Sequence, residues 1–131
     1  MELFYQRSCA KTGPEAVESV TAALKNQNFS VLWDLDINQK FVEKGIEPEP
    51  FFHILEVCSA PRAKEALEHN QHVGYFLPCK MLVYKDRESQ EIFVGLAHPS
   101  VFMNLLDDPG LKTLGEEVTI ALTTAVDEAC K

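Results

Sequence analysis

The chain has 131 residues, of which 46% are hydrophobic and 24% charged, a length and composition that fit one globular domain and exclude disordered and collagen-like classes. At this size roughly two-thirds of the unfolded chain's surface can be buried, so a single core holds without covalent staples. Twenty acidic residues against twelve basic ones leave a formal net charge of -8, which speaks against tight nucleic-acid binding, because displacing counterions from phosphates takes Lys and Arg.

Residues 3–8 read as a short opening strand. Thr12-Gly13-Pro14-Glu15 carries the Thr-x-x-Glu spacing of a capping box with Pro in the first turn, so a helix starts there. Val17, Val20 and Leu24 give that helix an apolar stripe, flanked by Ala16 and Ala23. Asn26 to Asn28 end it, since Asn tolerates the left-handed conformation that closes helices. From Phe29 to Asp36 aromatic and β-branched residues alternate with a period near two, as in a half-buried strand. Asp34 and Asp36 then share one face at its far end. Residues 37–44 suit a short helical turn, stopped by Gly45 and by Pro48-Glu49-Pro50. Phe51 to Cys58 is an apolar strand.

Ser59 is placed to cap a helix over residues 60–69, with Pro61 in its first turn and Ala63, Ala66 and Leu67 facing inward. Tyr75 to Tyr84 is too apolar for a loop, yet Pro78 cannot donate a ladder hydrogen bond. Pro78 is therefore an edge or bulge, and the main strand begins at Cys79. Lys85 to Ser89 is a polar turn, and Ile92, Val94 and Leu96 alternate on the return strand, so residues 79–97 form a hairpin. Pro99 opens a short helical turn. The last helix starts with Asp108 as cap and Pro109 in first position, and Leu111, Leu114, Val118, Ala121, Leu122, Ala125 and Ala129 form its inward stripe. The order β-α-β-β-α-β-β-α, without repeat or linker, is an α+β two-layer sandwich, a mostly antiparallel sheet with helices on one face.

The first residues lack a basic segment followed by an apolar run of signal-peptide length, and no later window approaches a membrane span. The expected location is the cytoplasm, with neither membrane nor nucleic acid as partner. Cys9, Cys58, Cys79 and Cys130 are widely spaced, with no Cys-x-x-Cys and no zinc-finger spacing, so four free thiols are expected.

Asn28-Phe29, Asp34 with Asp36, Glu43-Lys44-Gly45, Ile54-Leu55 with Cys58 and Pro61, Ala66-Leu67, Gly74, Leu77-Pro78-Cys79 and Val83-Tyr84 follow a familiar order. The chain thereby resembles the bacterial and archaeal family of domain of unknown function 302, from the first helix through the second hairpin strand. The resemblance implies a TATA-binding-protein-like fold, a homodimer and no established activity. It also implies an antiparallel meander of the later strands, and antiparallel neighbours would bring Cys58 and Cys79 to one sheet end. Three positions depart from the family pattern: Ser59 and Lys80 stand where the family tends to have Asn, and His98 where it tends to have Asp before the proline. Any ligand served by those side chains is put in doubt.

Cys58, just ahead of a helix start, is placed where backbone N–H groups favour a thiolate. With Cys79 and Lys80 nearby, the pair could serve redox chemistry, a thiolate-loving metal or a small ligand. Two buried packing thiols are the alternative. Asp34 and Asp36 could be an acid/base pair or a cation site, or only a solvated strand end. His69 and His72 share a helix side, but Asn70 ends that helix. His98 reads as a cap-position residue and His53 as a half-buried strand histidine. No phosphate loop, nucleophile elbow or Ser/His/Asp order occurs, so no cofactor or metal is assigned. The site expectation is the groove between the sheet end bearing Cys58 and Cys79 and the helix starting at Ser59, with Asp36 and His98 as lesser candidates. The function expected is a homodimeric ligand-binding or accessory module for an unknown small molecule; the alternatives are a thiol-dependent redox or metal-binding protein and a purely structural or regulatory dimer.

Overall fold

In the computed structural model, which describes residues 2–131, Thr12 forms the capping box its spacing predicts. Its hydroxyl accepts from Glu15 N at 3.3 Å, and its own N–H donates to Glu15 Oε1 at 2.9 Å. The helix so started, α1, spans Gly13–Asn26 and closes as Asn28 takes the left-handed conformation at φ 61. Asp108 starts the longest helix, α5 (Pro109–Ala129), by accepting from Gly110 N at 2.9 Å. Between them lie α2 (Ile37–Glu43), α3 (Ala60–His69), a 3-10 turn (Gln71–Phe76) and α4 (Pro99–Asn104).

Five strands, β1 (Phe4–Cys9), β2 (Ser30–Asp36), β3 (Phe52–Cys58), β4 (Cys79–Lys85) and β5 (Ile92–Ala97), form one sheet in the order β1-β5-β4-β3-β2. Every neighbouring pair is antiparallel, so the expected α+β sandwich and its meander are both present. The short α2, the 3-10 turn and α4 elaborate that order. Period-two alternation decides which face is covered. Leu55, Val57, Met81, Val83, Val94 and Leu96 are buried beneath α1 and α5, against Val20, Leu24, Leu111, Val118 and Leu122. The alternate residues Phe52, Ile54, Leu82, Tyr84 and Phe93 are only half-buried, and Tyr84 stacks on Phe93 with ring centroids 5.9 Å apart and meets Phe52 at a tilt, 5.7 Å away. Neither α1 nor α5 covers that second sheet face.

Three expectations are corrected. Cys9 and Cys130 are not free thiols: they are disulfide-bonded, with Cα atoms 4.6 Å apart across 121 residues of sequence, because β1 ends beneath the last turn of α5. Only Cys58 and Cys79 remain free. Leu67 is exposed and Ala66 alone in α3 is fully buried, because α3 lies at the rim of the helical layer. Tyr75 and Phe76 belong to the 3-10 turn rather than to a strand lead-in. The Leu77–Pro78 peptide is cis, and β4 begins at Cys79, so no ladder position falls on Pro78.

Candidate functional site

Antiparallel pairing of β3 with β4 sets Val57 opposite Cys79, which places Cys58, at the end of β3, beside the start of β4. The two thiols thus share one end of the sheet. Ser59 occupies the N-cap position of α3 but makes no side-chain capping bond, and it is buried. Desolvation outweighs the helix start. Burial pushes the Cys58 thiol above its ordinary range. Burial, with a smaller contribution from Cys58, pushes Cys79 up to about 11 against the opposing pull of Lys80. Both are protonated thiols at neutral pH, poor nucleophiles compared with a thiolate.

The space between the thiols and α3 is nearly filled, with about 20 Å³ left among Arg62, Ala63, Ala66 and their neighbours. Arg62 closes it, its guanidinium 5.4 Å from the Phe29 ring centroid and bonded to Gln27 O at 3.0 Å. A usable cavity lies on the other side of the β4 start. Between the 3-10 turn and α4 is a cleft of about 240 Å³, walled by Phe76, Leu77, Phe102 and Met103 and reached by Cys79 and Lys80. Phe76 and Phe102 stack on one another in its wall, with ring centroids 5.4 Å apart. Tyr75, 86% exposed, stands at its lip.

The lesser candidates separate. His98 occupies the N-cap of α4, as expected, with no side-chain capping bond. Its backbone N–H donates to Leu3 O at 2.9 Å, and the next residue, Pro99, lines the cleft. Asp36 lies elsewhere. It caps α2 by accepting from Asn38 N at 3.1 Å, beside the start of β3, roughly 17 Å from Cys58 at the strand rise of about 3.3 Å per residue. There His53, stacked on Phe51 at 4.5 Å, joins the acidic pair: its Nδ1 is 2.6 Å from Asp34 and its Nε2 3.9 Å from Asp36. Among the described residues no group of three or more His, Cys, Asp or Glu side chains could hold a metal ion.

Tyr75, Phe76, Phe102 and Met103 are among the cleft residues that sequence reasoning assigned to no site, and Lys80 entered it only as a positive neighbour of Cys79. The apolar stretch from Tyr75 onward was the available signal, since an exposed turn has no need of so many apolar side chains.

Comparison with known proteins places this geometry. A model of the family described as domain of unknown function DUF302 matches residues 5–129. A solved structure of an uncharacterized conserved DUF302 protein from Bacillus stearothermophilus is similar over 100% of both chains, with 30% sequence identity and a TM-score of 0.93. No curated protein matches.

Proposed function

The chain belongs to the DUF302 family, and on that premise we propose that it is a ligand-binding or accessory module whose ligand enters the cleft between the 3-10 turn and α4. The observation that carries this reading is the cleft itself: about 240 Å³ of space with stacked aromatic walls, next to a thiol groove that is packed shut. Concave, mostly apolar sites with few polar groups are where small molecules bind. Ligand binding to the folded state alone raises the melting temperature. A thermal-shift panel of small uncharged apolar molecules, indole and octanol among them, is expected to raise it, and Phe102→Ala to abolish the rise. A flat panel for the native chain overturns the reading.

The thiol-dependent redox or metal-binding alternative has less support, because both free thiols are held protonated by burial.

A homodimer is part of the proposal. β2 is an edge strand of the sheet, and Leu32 and Trp33 on it, with Val42 and Ile46 around α2, are all more than half exposed. An open edge flanked by apolar side chains is a template for pairing with a second copy. A scattering mass of 14.7 kDa at micromolar concentration overturns the dimer. As to location, no helix among the described residues is long and apolar enough to cross a membrane. The Cys9–Cys130 disulfide favours an oxidising compartment over the cytoplasm expected from the sequence.

A further inference from the structure

Two concavities meet at Lys80 and Ala97. On one side lies the cleft of about 240 Å³. On the other, a groove of about 380 Å³ runs along the open sheet face past Leu82, Tyr84 and Gly95. Lys80 and Ala97 line both. Together they fall within the ordinary size range of small-molecule sites, roughly 300–1,000 Å³.

Among the described residues, Lys80 is the only charged one lining either concavity, in a chain whose net charge is -8. Its ammonium bonds Glu56 Oε1 at 2.7 Å, and its side chain is 59% exposed. An ammonium has three donors, so its bond to Glu56, whose side chain is 23% exposed, leaves two of them for a ligand. The groove offers few other polar partners. The Tyr84 hydroxyl already donates to Gln6 Oε1 at 2.6 Å. Gly95 adds no side chain to the floor.

Resting on the reading of the cleft as a ligand site, we propose that the joined groove takes an amphiphilic carboxylate, its head group on Lys80 and its unbranched apolar body along the groove. A cationic amphiphile meets Lys80 with like charge. A neutral one gains the apolar contacts alone.

The test is titration of octanoate, octanol and octylamine, as free monomers, into the native chain and into Lys80→Gln and Lys80→Ala, followed by amide NMR shifts. Octanoate is expected to bind tightest, to shift amides near both Phe102 and Gly95, and to weaken roughly tenfold or more in both variants, the loss of one charge-assisted hydrogen bond. Equal binding of octanol and octanoate, unchanged by the variants, overturns the carboxylate assignment while leaving the cleft as an apolar site. Octanoate shifts confined to β2 or α2 also overturn it. Absence of binding by all three compounds overturns the carboxylate assignment and the cleft reading together.

Discussion

Cys9, at the end of β1, and Cys130, just past α5, are joined by a disulfide whose Cα atoms are 4.6 Å apart. The neighbours of this bond hold the same two elements together. Tyr5 Oη donates to Asp127 Oδ1 at 2.5 Å, and Arg7 lies 3.2 Å from the same oxygen. Lys11 Nζ donates to Ala129 O at 2.5 Å and to Ser19 Oγ at 3.1 Å, which satisfies a carbonyl in the last turn of α5, where a cation is favoured.

A cross-link that closes nearly the whole chain restricts the unfolded ensemble strongly. Its removal by Cys9→Ala with Cys130→Ala is expected to lower the unfolding free energy by roughly 4 kcal/mol, read as a lower urea midpoint. Thiol counting under non-reducing denaturation should label two cysteines, and four after reduction. Four labelled thiols before reduction, or a urea midpoint indifferent to reductant, contradict the bond.

The free thiols carry a pH prediction. Cys79 moves from an ordinary value of 9.0 to about 11 in the folded state, so above pH 9 the unfolded chain has lost a proton that the folded chain keeps. Stability is therefore fully present below about pH 9 and falls as pH rises through about 11. Cys58, also raised by burial, acts in the same direction, as do Tyr5 and Tyr84. Denaturation series at several alkaline pH values should show a smaller decline for Cys79→Ala than for the native chain. Alkylation by iodoacetamide at pH 7 should be slow at both cysteines and slower at Cys79. A Cys58 that reacts faster than a free thiol restores the redox reading.

Gly95 faces Gln6 across the β1–β5 ladder, and a Cβ there meets Tyr5 O at 2.8 Å and Gln6 Cβ at 2.9 Å. Both obstacles sit on or next to backbone, which cannot swing aside. Gly95→Ala is expected to destabilise by about 1–3 kcal/mol, as overpacking does, and to disturb the Tyr84–Gln6 bond that passes over this residue. A thermal midpoint equal to the native one shows that β1 can shift to accept the methyl group.

Much of the fold was legible from local rules. The Thr12–Glu15 box, the Asp108 cap, the left-handed Asn28 and the inward stripe of α5 each rest on interactions within a few residues of chain. Alternation of Ile92, Val94 and Leu96 marked which side chains of β5 face the helices. The site was legible only in part. The antiparallel meander implied by the family resemblance brings Cys58 and Cys79 to one sheet end, as found, yet the groove expected there is filled by Arg62, whose guanidinium lies against Phe29.

The sequence by itself determined most of the elements and most of the core, because caps, breakers and periodicity act between near neighbours in the chain. Only the tertiary structure decided the rest. It showed that Cys9 and Cys130 meet across 121 residues, that His53 sits between Asp34 and Asp36, and that Phe76 and Phe102 open a cleft beside Cys79. The physical reason is common to all three. Each depends on which strand pairs with which and on how far a helix overhangs the sheet, and those distances are set by the packing of the whole core.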